Sequence, residues 1–280
     1  MSIDFGRHIG CSVAGVGWHC VVVPRTNKTQ QERRVSDQTN KQAFNPETDG
    51  AKMGFADAMS YGDYLHLEGV LDKQHPLSTA HDELLFIIQH QTSELWMKLV
   101  LHEMSAAREA LKVGQVTPMF KMLARVSRIF EQLNGQWEVL RTMTPADYSH
   151  FREALGPSSG FQSWQYRMIE YVLGNRNPNM LRPHEHLPEI RDQLAQELTQ
   201  PSFYDEVVAY LFQPLDGNLE QMPAAQLDKP HEAHPDIQAR WKRVYQDVET
   251  HWTLYELGEK LVDLEDNVRR WRFNRATTVE

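Results

Sequence analysis

From about residue 57 onward, apolar residues recur at intervals of three and four, the spacing that gathers them on one face of a helix. Residues 81–112 predict a first long helix and residues 117–142 a second, with Met119, Leu123, Val126, Phe130, Leu133 and Trp137 in its apolar stripe. Thr117 reads as the N-cap of that second helix, with Pro118 at its first position. Thr144-Pro145 opens a short third helix that carries Tyr148 and Arg152, and the GPSSG loop at 156–160 ends it. A fourth helix is predicted over 161–173, with Gly174 as its C-cap. Further helices are predicted over 188–199, 202–213 and 236–274, the last interrupted near Gly258. Connectors rich in Pro and His separate them at 178–188 and 223–235. With no alternating strand pattern and no internal repeat, the predicted fold class is all-α, a bundle of long antiparallel helices.

Residues 24–56 break this rhythm: they are polar and carry few large apolar side chains. Such a composition buries too little surface to order itself. The expected organisation is therefore a disordered leader over 1–56 and one helical domain over 57–280. The apolar run at 9–23 contains His19 and, at about fifteen residues, is too short to span a bilayer. It also lacks the cleavage pattern of a signal peptide. No membrane association and a cytoplasmic location are expected. The 280 residues are 41% hydrophobic and 24% charged, which places the chain among soluble globular proteins. A net charge of -9 without a long basic run argues against nucleic acid as a partner. Both cysteines, Cys11 and Cys20, precede the helical region, so a Cys-ligated metal cluster or a disulfide framework is excluded there. Glycine-rich phosphate loops and a serine-hydrolase elbow are absent.

Within 81–98, Phe86 and His90 lie four residues apart, one turn above the other on one helical face. An apolar plate beside one hydrogen-bonding nitrogen suits a flat aromatic ligand with a single polar edge; the plainer alternative is a solvated or satisfied histidine. Tyr148 and Arg152 share the same spacing. A phenol beside a guanidinium can hold a carboxylate, or can be a half-buried Tyr next to a surface Arg. Tyr61 and Tyr64 either contribute to a site or anchor a short N-terminal helix. Asp63-x-x-His66 and Asp147-x-x-His150 have the form of carboxylate–histidine metal pairs in helical bundles. Helix capping explains both Asp residues equally well. The pairs His231/His234 and His184/His186 sit in connectors and would need further ligands to hold zinc.

Four longer segments together resemble the tryptophan 2,3-dioxygenase family: YGDYLHLEGVL (61–71), HPLSTAHDELLFIIQHQTSELWMKLVLHE (75–103), TPADYSHFREALGPSSGFQSWQYRMIEYVLGNRN (144–177) and LEDNVRRWRFNRATTVE (264–280). The resemblance runs from about residue 60 to the end. It implies a tryptophan/indoleamine dioxygenase-like helical fold, a haem b cofactor and a homotetramer. The implied reaction is insertion of O2 across the indole C2–C3 bond of L-tryptophan, giving N-formylkynurenine in the kynurenine pathway. Carried over by motif, Phe86, Ile87, Ile88, Gln89 and His90 line the substrate pocket. His90 is the catalytic residue that meets the indole N–H. Arg152, assisted by Tyr148, pairs with the substrate carboxylate. Tyr61 and Tyr64 close the pocket from a neighbouring subunit.

The resemblance breaks at two places. Family members carry the proximal haem histidine where this chain has Arg275. The guanidinium has no lone pair to offer iron. The family also continues, past the position of Glu280, with a loop that closes over the site. Haem retention is therefore expected to suffer, with no metal ligand assigned. The alternative function is a non-catalytic protein that binds tryptophan or sister subunits. A di-iron carboxylate bundle is the third reading.

Overall fold

Short side chains at Ser60, Thr144, Ser163 and Ser202 each satisfy a free N–H group at the start of a helix. The computed structural model describes residues 50, 53–55, 57–214, 221–223, 227 and 229–279. Most of the expected leader, including the apolar run 9–23 and both cysteines, lies outside them. Contacts divide the chain into a unit ending at Lys73 and a unit from Gln74 to Glu280.

In the first unit, α1 (Tyr61–Leu65) begins with a reciprocal capping box: the Ser60 hydroxyl accepts from Asp63 N, and the Asp63 carboxylate accepts from Ser60 N. Asp63 is thus a capping residue. A left-handed His66 ends α1, and α2 (Glu68–Leu71) follows.

In the second unit, α3 (Glu83–Lys112) and α4 (Val116–Leu140) pack along their length, and α10 (Trp252–Val279) packs on α4. Val100, Met104, Ala107 and Leu111 of α3 meet the predicted α4 stripe, where Met119, Leu123, Val126, Phe130 and Leu133 are fully buried. Leu257, Leu264 and Trp271 of α10 recur at intervals of seven and complete this core. A short α5 (Pro145–Arg152), then α6 (Trp164–Leu173), α7 (Pro188–Leu198), α8 (Phe203–Leu211) and α9 (Pro235–Gln246) fill the remainder. Two 3-10 turns, Gly160–Gln162 and Pro178–His184, lie between them. No strand occurs among the described residues. The all-α reading holds.

Several predicted boundaries move, among them the start of the fourth helix, which lies at Trp164 rather than 161. The second helix starts at Val116, with Gln115 at the N-cap position and no side-chain cap. Pro118 is tolerated there because first-turn N–H groups have no intrahelical partner. The last predicted helix breaks at 247–251, not at Gly258. Asp247 leaves helical geometry at φ -135° and ψ 74°, and its carboxylate accepts from Thr250 N at 3.3 Å. Gly258 instead lies inside α10, where α9 crosses closely. A Cβ at Gly258 would sit 2.8 Å from Tyr245 Oη and 3.2 Å from Trp241 Cζ3.

Candidate active site

The α3 stripe that carries Phe86 and His90 faces α5. The Phe86 and His90 rings lie 4.2 Å apart, tilted by 40°, and Phe86 lies 5.8 Å from Tyr148 and 5.5 Å from Phe151. Tyr148 meets Phe151 edge-on at 5.3 Å. α5 is placed by the Thr144–Asp147 capping box, with Pro145 at its first position. Asp147, like Asp63, is therefore spent on a cap, which removes the carboxylate that an Asp-x-x-His metal pair would use. Among the described residues no group of three or more His, Cys, Asp or Glu side chains could hold a metal ion.

The imidazole's state follows from its bonds. His90 Nδ1 lies 2.8 Å from the Phe86 carbonyl oxygen. A carbonyl can only accept, so Nδ1 carries the proton and Nε2 the lone pair. Burial lowers the His90 pKa below the ordinary value; the Phe86 carbonyl and Glu94 oppose that shift, and Arg275 adds to it. The ring is neutral at neutral pH and offers a single acceptor.

The remaining residues of the FIIQH segment do not share that face, because successive helical positions turn by about 100°. Ile87 is half-buried, Ile88 is 46% exposed, and Gln89 is buried on the other side of α3. There the Gln89 amide donates to Gln136 Oε1 of α4 at 3.1 Å. Ile88 and Gln89 thus leave the stripe that Phe86 and His90 form.

Arg152 is exposed, and its Nη1 donates to Gly156 O at 2.9 Å. Arg275 of α10 reaches the other end of the same loop. It donates to Gly160 O, and its guanidinium lies 4.2 Å from the centroid of Tyr166. Two arginines distant in sequence therefore hold the two ends of the Gly156–Gly160 loop. Tyr61 and Tyr64 are 75% and 71% exposed on α1. Sequence reasoning missed Phe151, Glu94 and Gln165. Gln165 Nε2 donates to both the backbone oxygen of Glu94, at 2.9 Å, and its carboxylate, at 2.8 Å. Glu94 could have been found, since it continues the 86, 90 series by one further turn; Gln165 carries no local signal.

The resemblance implies haem, whose iron takes an axial donor with a lone pair. Arg275 is half-buried, burial lowers its pKa, and a guanidinium nevertheless stays charged at neutral pH. It offers only N–H groups, already directed at Gly160 and the Tyr166 face. This donor set does not fit iron ligation from position 275.

The family model described as Tryptophan 2,3-dioxygenase matches residues 46–205. A relative named "Tryptophan 2,3-dioxygenase" from Ruegeria sp. (strain TM1040) is 74% identical over 238 residues, covering 85% of each chain. Relatives of the same name from Ruegeria pomeroyi and Pseudomonas aeruginosa are 59% and 54% identical, over 85% and 84% of this chain and 86% and 83% of their own lengths. Neither comparison supports the non-catalytic alternative.

Proposed function

The chain belongs to the tryptophan 2,3-dioxygenase family, and on that premise we propose that the indole of its substrate lies against the Phe86–His90 stripe. The protein is an oxidoreductase of tryptophan breakdown, a dioxygenase acting on L-tryptophan and O2. In the proposed complex Phe86 packs on the indole face, with Ile87 beside it. His90, neutral and with its lone pair on Nε2, accepts the indole N–H. Arg152 turns a free pair of N–H donors to the substrate carboxylate, and the Tyr148 hydroxyl adds a third. Tyr61 and Tyr64, exposed on α1, are assigned to closing the site of a neighbouring subunit in a homotetramer. Water excluded by that closure strengthens the ion pair.

Among the described residues no helix is long and apolar enough to cross a membrane. The cytoplasmic location, the leader over 1–56 and the single helical domain over 57–280 remain part of this proposal, on sequence grounds. The family implies haem b; in this chain its binding would have to proceed without iron ligation from position 275.

The observation that supports this reading most directly is the Nδ1 bond of His90 to the Phe86 carbonyl, which leaves Nε2 as the acceptor. The test compares L-tryptophan with 1-methyl-L-tryptophan, which lacks the ring N–H. The wild-type chain should bind L-tryptophan at least about fivefold more tightly, the worth of one hydrogen bond of about 1 kcal/mol. His90→Ala should erase that preference. A preference that survives in His90→Ala assigns the N–H to another partner and rejects the role.

A further inference from the structure

We propose that Glu94 and Gln165 form a positioning unit for His90: Gln165 locks the Glu94 carboxylate one turn beyond the imidazole on the same face of α3, while the neighbouring Tyr166 holds the Arg275 guanidinium. The inference deepens the proposed function and rests on the reading of His90 as the group that meets the indole N–H.

Phe86, His90 and Glu94 form one i, i+4 series on α3, so the carboxylate lies on the imidazole's own face. A half-buried glutamate on a helix would ordinarily sample several rotamers. Here a buried amide, Gln165 at 8% exposed, holds both its backbone oxygen and its carboxylate. The next residue of α6, Tyr166, carries Arg275 on its ring face. Adjacent residues in the first turn of α6 therefore hold two opposite charges, one from α3 and one from α10. Both act on His90, Glu94 raising its proton affinity and Arg275 reducing it.

The other charged and titratable groups around the pair act on Arg275. Glu170 and Tyr166 of α6 stabilise its charge and Arg167 opposes it, while Arg272 of α10 lies 3.8 Å from Glu170. From α5, Tyr148 lies 5.8 Å from the Phe86 ring that packs on His90. A carboxylate free to turn away would act on His90 less; the two bonds from Gln165 keep it one turn from the ring. The chemical consequence concerns a single proton: when Nε2 accepts the indole N–H, positive character develops on the ring, and the fixed carboxylate supports it without touching substrate.

The experiment is an NMR titration of the His90 imidazole in the full chain, without ligand. Glu94→Gln keeps an oxygen for Gln165 to donate to and removes only the charge. The His90 midpoint should fall in Glu94→Gln, rise in Arg275→Gln, and return toward the wild-type value in the double variant. The thermal midpoint of Glu94→Gln should stay within a few degrees of wild type. An unmoved His90 midpoint in Glu94→Gln, or shifts of the same sign in both single variants, overturns the proposal. If Glu94→Gln does not fold, Arg275→Gln decides alone, because a fall or no change there contradicts the opposed-charge arrangement. Since no ligand is present, this outcome is separate from the 1-methyl-L-tryptophan comparison, on which the role of His90 toward substrate stands or falls.

Discussion

Truncating Arg152 separates recognition of the amino-acid end from recognition of the ring. The guanidinium is exposed and spends one N–H on Gly156 O at 2.9 Å. It has five N–H donors, so a bidentate edge remains for a carboxylate. Were the pair left in open solvent, it would contribute at most about 1 kcal/mol, a factor of about five. A charge-assisted bond shielded by the bound ring contributes about 1.5–3 kcal/mol, or about 10- to 150-fold. In the proposed complex the bound ring and the closing subunit supply that shielding, so Arg152→Ala should weaken L-tryptophan by about 10- to 100-fold. Binding of 3-methylindole, which has the ring and no carboxylate, should change by less than about twofold. Calorimetric titration at low and high salt measures both; the loss for L-tryptophan should persist in salt, because screening acts chiefly on exposed pairs. The variant should melt close to wild type, since only one exposed hydrogen bond, worth about 1 kcal/mol, is removed. Equal losses for the two ligands, or a loss for L-tryptophan below twofold, would refute the ion-pair role.

Arg275→His replaces an N–H-only group with a lone-pair donor and releases the Gly160 carbonyl. Haem titration followed in the Soret band should show binding tightened by at least about tenfold, and unchanged affinity would show that position 275 does not govern haem uptake. Elsewhere, Asp205→Asn should cost about 3–5 kcal/mol in denaturant unfolding, because it takes the carboxylate 2.9 Å from the fully buried Arg176. Burial raises the Asp205 pKa, yet the His231 imidazole 3.2 Å away and hydrogen bonds from Ser202 outweigh it and hold the carboxyl below its ordinary 3.8. The folded value being depressed, this stabilisation is complete above that pH and is lost as pH falls through the folded value. Wild type should therefore lose stability in acid below about pH 4 with a component that Asp205→Asn lacks, and identical acid limbs would contradict the assignment.

Local rules decided much of this molecule. Apolar spacing along 81–142 marked two long helices and the faces they bury, because a helix repeats every 3.6 residues whatever lies around it. Thr144-Pro145 and Gly174 marked real ends, since capping needs only neighbours in sequence. The contact between the Phe86 and His90 rings followed from the same four-residue interval. The sequence also carried the family, through motifs long enough to identify it, and the arginine at 275. Contacts between distant segments were beyond such rules. Gln165 reaches Glu94 across 71 positions, and Arg275 reaches Gly160 across 115. No periodicity encodes which helices meet. The place where Gly258 would break a helix in isolation became the place where α9 crosses α10, because a glycine gives up helix propensity and gains a close approach. Gln89 turns away from the Phe86–His90 stripe for the same kind of reason: its side of α3 is claimed by α4, and only packing of the whole helical unit makes that claim.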